Sequence, residues 1–248
     1  MNSAYDRNVI APTELGKSRS KQLEGTSPAV VVAVGSTEQH GPHLPLDTDT
    51  RIAAAVANAV VVDLQTTGYP EPLVVAPAVA YGSSGEHQSF AGTVSIGTFA
   101  LEQVLLEFGR SACEWAQRLL FINGHGGNVA ALRAAVACLR AEGRDVGWYS
   151  CVVTGGDAHA GHTETSILLH LSPEEVCIDQ RCAGNVTPLA EIMPAMRRGG
   201  VAAVSEVGVL GDPTTASAAE GARLFTEIVD TCVSRVRRWA PNRYGMLE

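Results

Sequence analysis

No apolar run in this sequence approaches the roughly 20 residues that a membrane-crossing helix needs. Its longest candidates are interrupted within about ten residues. The opening residues hold Tyr5, Asp6 and Arg7 but no apolar signal core, so a cytoplasmic protein is expected. Six cysteines (Cys113, Cys138, Cys151, Cys177, Cys182, Cys232) are scattered without a C-x-x-C pair, which argues against both a zinc knuckle and a disulfide framework. They are expected to be buried free thiols. An excess of basic charge is missing too: 18 Lys and Arg against 26 Asp and Glu leave a net charge of -8. That sign disfavours nucleic acid as a partner and suits plain solubility. No internal repeat or low-complexity linker divides the 248 residues. The expectation is a flexible arm over 1–12 and a single domain over 13–248.

What is present is an alternation. Ala29 to Val34 is an unbroken β-branched apolar run, read as a buried strand. Thr50 to Leu64 is Ala-rich and free of Gly and Pro, which suits a helix. Leu73 to Val79, carrying Pro77, reads as a strand near an edge. Thr98 to Trp115 is helical by spacing, Arg118 to Asn123 a strand, and Val129 to Glu142 helical again. Val146 to Val153 is a further strand, followed by a helix near Thr163 to His170. A short helix over Thr13 to Glu24, a strand over Val204 to Val209 and a closing helix over Thr214 to Trp239 complete the reading. Strand, polar loop and helix recur four times. This predicts an α/β fold, a parallel sheet with right-handed crossovers and helices on both faces, that is, a three-layer sandwich.

The polar residues collect at the strand ends. G-S-T-E-Q-H-G-P-H-L-P-L-D-T-D, residues 35–49, follows the first strand and packs Glu38, His40, His43, Asp47 and Asp49 together. His125 follows the strand that ends at Asn123, and His159 with Glu164 follows the strand after that. In an open α/β sheet these loops converge on one rim, where ligands bind. Carboxylates and imidazoles with no lysine or arginine among them are what divalent cations need. Two metals roughly 3.5–4 Å apart share a bridging carboxylate, and Glu38, His40, Asp49, His125 and Glu164 supply three carboxylates and two imidazoles. Taken singly, Glu38 or His40 would be an ordinary loop residue. Five such groups at strand ends, each flanked by Gly or Pro, weaken the coincidence. Asp47 is read as a helix cap or a support behind the ligands, and His43 as a ligand, a structural residue or, preferably, such a support. His162 and His170 are assigned to packing or solvent. The glycine-rich run Gly124 to Asn128 admits a phosphate-cradling, nucleotide-binding alternative, but it lacks the G-x-G-x-x-G spacing.

Four motifs in order, residues 35–49, Y-G-S-S-G-E-H-x-x-F-x-G-T (81–93), N-G-H-G-G-N (123–128) and H-A-G-H-T-E-T-S (159–166), resemble the creatininase (creatinine amidohydrolase) family. G-D-P (211–213) and the A-x-x-G helix after it fit the family's tail. The resemblance implies an oligomeric α/β enzyme whose two divalent metal ions, zinc or iron(II) with manganese a third candidate, hydrolyse cyclic or linear amides. Glu38, His40, Asp49 and His125 match metal ligands, with Asp49 as the bridge. Creatininase itself has a ligand glutamate where this chain has Gly127, so Glu164 takes that place and a substrate other than creatinine is implied. Distributed similarity, including E-L-G at Glu14, points to the branch that releases the modified C-terminal Val-Tyr unit from the mycofactocin precursor peptide. A small cyclic amide or a formamide is the alternative substrate, and a non-catalytic scaffold the alternative class. His159 is the candidate general acid, because it shares the rim without being needed as a ligand. Glu86 is a second catalytic candidate, and Ser84 and His87 are candidate substrate contacts.

Overall fold

The computed structural model describes residues 13–248, so the arm expected over 1–12 lies outside the described residues. Five parallel strands form one sheet in the order β1-β3-β2-β4-β5: β1 Thr13–Glu14, β2 Ala29–Val34, β3 Leu73–Val79, β4 Arg118–Asn123 and β5 Val146–Ser150. Every residue of β2 is buried, which is why its sequence runs apolar without alternation. Ala29, Val31 and Ala33 face one layer, built from helices α2 (Thr48–Thr66), α5 (His162–Leu171) and α7 (Ala218–Arg238). Val30, Val32 and Val34 face the other, built from α3 (Thr98–Ala112) and α4 (Val129–Ala141). The expected three-layer arrangement is therefore the one observed.

Strand order turns back on itself beside β2, which pairs with β3 on one side and β4 on the other. Ligands bind at such a switch point, beyond the carboxyl ends of the strands. Val34 and Asn123 stand in register there, so the loops after β2 and β4 leave the sheet side by side.

Four expectations need correction. Thr13 to Glu24 is not one helix: Thr13 and Glu14 pair with Val74 and Val75, a single 3-10 turn follows at Leu15–Lys17, and α1 covers only Ser20–Leu23. The open edge of β3 offers backbone partners that outweigh local propensity. The strand expected to reach Val153 ends at Ser150, and Val152 is 72% exposed. Val204 to Val209 is not a strand. The free edge of β5 is taken by the C-terminal tail, with Trp148 and Leu247 bonded through their backbones. Val209 and Gly208 instead offer their carbonyls to Asn185 and Gln39. Of the six free cysteines only Cys232 is fully buried. Cys138 and Cys177 are exposed, because α4 turns Cys138 outward and Cys177 sits in a surface turn.

An eleven-residue helix, α6 (Leu189–Gly199), lies in the stretch that read as irregular. Pro188 before it and Pro194 within it hide it. The spacing Leu189, Ile192, Met193 and Met196 would have exposed it.

Candidate metal centre and substrate cleft

Glu38 and His40 leave the end of β2 with no solvent exposure, and Asp49, expected in the loop, lies in the first turn of α2. Gly124 lets the β4 loop press against that turn: a Cβ there would land on the Asp49 carbonyl. Asp49 is the hub. Its Oδ1 lies 3.2 Å from His40 Nε2, and its Oδ2 lies 3.2 Å from His125 Nδ1 while accepting a 2.7 Å bond from the Ser36 hydroxyl. His125 Nε2 is 3.3 Å from Glu38 Oε2, and His40 Nε2 is 3.8 Å from Glu164 Oε2. Glu164 Oε2 is steadied by the Ala160 amide at 2.6 Å.

Charge here is not balanced by Lys or Arg. Burial, and then repulsion from Asp49, push the Glu38 carboxyl up to about 7 against the opposing pull of His125 and His40. Burial works to lower His40 and His125. The carboxylates around them overcome it, Asp49 foremost for His40 and Glu38 for His125, and hold both imidazoles near 10. Burial also raises Asp49, but His40 and His125 outweigh it and keep this carboxyl well below its usual range. Burial lifts Glu164 to about 7 against His40. Protons on His40 and His125 thus occupy the role of cations between acids.

Both carboxylate oxygens of Glu38 are buried without a hydrogen-bond partner. A buried carboxylate left so is costly unless a cation meets it. Three groups, Glu38 with His40 and Asp49, His40 with His159 and Glu164, and Glu38 with His87 and His159, bring donor atoms within 4.8 Å of one another. The residues present therefore fit divalent cations.

Gln39, which the sequence reading passed over, separates the imidazoles by role. Its Oε1 accepts from the Gly41 amide at 2.9 Å, so its Nε2 is the donor end, reaching His87 Nδ1 at 2.8 Å and the Gly208 carbonyl at 3.0 Å. His87 is neutral, since burial and then the cationic His125 and His40 lower it to about 3. Its one ring proton then sits on Nε2, 3.5 Å from Glu38 Oε1. His159 is the reverse. Its Nε2 donates to the Gln39 carbonyl at 2.8 Å, which turns the Nδ1 lone pair toward Glu38 Oε1, 3.7 Å away. Burial, with His40 and His87 behind it, keeps His159 well below the usual imidazole range. The ring expected as an acid is therefore neutral, with a free lone pair.

The remaining candidates fall as follows. Glu86 stands at the mouth, its Oε1 3.6 Å from His125 Nε2. Ser84 lies beneath the centre, fully buried, its Oγ 3.5 Å from His125 Nε2 and away from the cavity wall. His43 bonds the Thr165 hydroxyl at 2.8 Å, one residue from Glu164, and burial lowers it to about 4. Asp47 occupies the cap position of α2 but gives its carboxylate to Arg51 at 2.7 Å instead. His170 is exposed beside Phe225, and His162 bonds Thr215. The Gly124–Asn128 loop is no phosphate cradle. The Asn128 carboxamide ties it inward to Ser83 and Gly35, and no Lys or Arg of its own is present.

A cavity of about 390 Å³ opens over the centre, walled by Glu86, His87, His125, His159 and Glu164 on one side and by α6 on the other. A second, about 580 Å³, adjoins it and shares Gly124, Gly126, Ala158, Glu164, Leu189 and Leu210. Ile52, Val152, Val153 and Ile167 make its walls largely apolar.

Residues 14–236 match the family described as Creatininase: Creatinine amidohydrolase. A mycofactocin precursor peptide peptidase of Mycolicibacterium smegmatis is 64% identical over 249 residues, covering 100% of both chains. One from Mycobacterium tuberculosis (strain ATCC 25618 / H37Rv) is 63% identical over 250 residues, again covering 100% of both. The solved structure of a creatinine amidohydrolase (creatininase) shares the fold with a TM-score of 0.74 at 22% identity, covering 93% of this chain and 99% of that one.

Proposed function

The chain belongs to the creatininase family, and from that premise we propose that it is a metal-dependent peptidase that cleaves the mycofactocin precursor peptide, releasing its modified C-terminal Val-Tyr unit. The reaction class rests on one observation above others: Glu38 is fully buried with neither oxygen hydrogen-bonded, inside a ring of imidazoles. The substrate rests on full-length identity of 63–64% to peptidases of that name. Paired cavities of about 390 and 580 Å³ suit an extended chain better than a small cyclic amide.

Two cations per subunit are proposed, one held by Glu38, His125 and Asp49, the other by Asp49, His40 and Glu164. Zinc, iron(II) and manganese all suit this mixed set of nitrogen and oxygen donors. Divalent cations there supply Lewis acidity, polarising a carbonyl and acidifying water. The chain's own groups do the rest. His159 takes a proton at Nδ1 from the attacking water and returns it to the departing nitrogen, so it is base first and acid second. Gln39 holds that lone pair in place through its carbonyl. His87 presents its Nε2 proton to an oxygen of the substrate, and Glu86 closes the mouth. No helix among the described residues is long and apolar enough to cross a membrane. A cytoplasmic homo-oligomer belongs to the same proposal, supported by exposed Tyr81, Val94 and Phe99 on one loop and the start of α3.

The test pairs metal analysis of the purified protein with chromatography of its reaction with the modified precursor peptide. About two metal equivalents per chain and release of the C-terminal unit are expected. Metal without cleavage would remove the substrate and leave the reaction class. Absence of metal, with Glu38→Ala indistinguishable from wild type, would remove both.

A further inference from the structure

We propose that Arg197 is the anion-binding residue of the substrate cleft, taking a carboxylate of the peptide a few residues from the scissile amide. This rests on the peptidase reading above. Arg197 is the one lysine or arginine among the residues lining either cavity. The other ionisable lining groups, cysteine apart, are acids or imidazoles: Asp49, Glu86, His87, His125, His159 and Glu164 around the centre, Asp157 and Asp212 beyond it.

Its guanidinium is unspent. Arg51, Arg110, Arg118, Arg144 and Arg223 are in ion pairs, and Arg140, Arg181, Arg235 and Arg237 donate hydrogen bonds. Arg197, exposed like Arg198 and Arg238, has neither an ion pair nor a hydrogen bond within the described residues, and of these three it alone lines the cavity. Glu86, the acid at the cavity mouth, leans toward His125 instead.

The helix that carries Arg197 is anchored. Ile192 on α6 packs with Val201 and Leu210, and Phe90, Met196 and Val204 close around them. Gly200, at φ +69°, brings the end of α6 onto the backbone of Glu86. Met193 and Met196 line the cavity beside Arg197. These methionines form an adaptable apolar wall beside the exposed guanidinium. The planar guanidinium matches a carboxylate with two parallel hydrogen bonds. A peptide brings such carboxylates from two sources, an acidic side chain or the chain end, and Arg197 is the one guanidinium on the cavity wall to receive either.

The experiment measures kcat and KM on four synthetic precursor-type peptides. They carry Asp or Asn near the scissile bond, each with a C-terminal acid or amide. The metal-loaded wild type is compared with R197A, R197K and R197E. Wild type is expected to show a KM roughly ten- to a hundred-fold lower for peptides carrying the recognised carboxylate, the range of a charge-assisted pair. R197A should erase that preference with kcat within about two-fold, R197K should restore part of it, and R197E should reverse it. Whether the Asp/Asn or the acid/amide change carries the effect identifies the source of the carboxylate. An unchanged preference in R197A, an equal loss on all four peptides, or no preference in wild type overturns the proposal. Should wild type cleave none of them, calorimetric titration of the same peptides decides. A tighter Kd for one carboxylate that vanishes in R197A upholds Arg197 although the peptidase reading has failed, and equal Kd values refute both.

Discussion

Replacing Glu38 with glutamine should stabilise the metal-free protein while destroying its response to metal. Glu38 is fully buried and neither of its oxygens has a hydrogen-bond partner. Its carboxyl is pushed from 4.5 to about 7, first by burial and then by Asp49. An acid with a raised folded pKa binds its proton more tightly folded than unfolded. Stability of the metal-free protein therefore falls as pH rises from 4.5 through 7, by on the order of 3 kcal/mol once the group is ionised. Glutamine keeps the shape and removes the charge, so at pH 8 it recovers about 1–3 kcal/mol, the remaining cost being that of a buried amide. For a chain of this size that is a rise in Tm of roughly 3–10 °C. Metal at a hundred times its Kd adds about 2.7 kcal/mol to any state that binds it. The assay is thermal melting of both proteins at pH 8, in chelator and then with zinc or manganese. Wild type should start lower and climb with metal, whereas Glu38→Gln should start higher and stay flat. A variant that melts below wild type in chelator, and still gains the full increment from metal, would refute the assignment of Glu38 as a ligand.

Other outcomes follow from the same geometry. His159→Ala should cut kcat by roughly 10²–10⁴ with metal content unchanged, read by single-turnover kinetics and metal analysis. Loss of metal in that variant would make His159 a ligand instead. Gln39→Leu should orphan the Gly41 amide and the Gly208 carbonyl and release the His87 tautomer, lowering activity about 10–100-fold. Imidazole ¹⁵N shifts report the tautomers directly, and unchanged shifts would remove the positioning role. Gly221→Ala should destabilise by about 1–3 kcal/mol, because a Cβ there would collide with the Ser166 carbonyl where α7 crosses α5. Denaturant melts with an unchanged midpoint would show that the two helices separate freely.

Layer order and the positions of β2 and β4 were legible because these strands, buried on both faces, carry short continuous apolar runs between turn signals. The candidate ligands were legible for a related reason. Glu38, His40, Asp49, His125 and Glu164 follow strand ends, and parallel strands put all their carboxyl ends on one rim whatever the details of packing. Chemistry of that kind is written locally, as a residue type at a place along a strand.

What stayed hidden depended on partners distant in sequence. Thr13 and Glu14 became a strand only because β3 exposes an edge, and Val204 to Val209 lost strand form because Gly208 and Val209 give their carbonyls to Gln39 and Asn185. Gln39 reads as filler between two candidate ligands until folding brings His87, His159 and Gly208 to it from 48, 120 and 169 residues away. Arg197 reads as the end of an irregular segment until α6 is laid over the Glu86 turn. The sequence by itself determined the sheet, its buried strands and the donors at their ends, since hydrophobic period and residue type are local properties. Only the tertiary structure decided which imidazole is donor and which acceptor, which carboxylate is left unpaired and which cation faces the cleft. Those follow from neighbours that the chain meets only once it has folded.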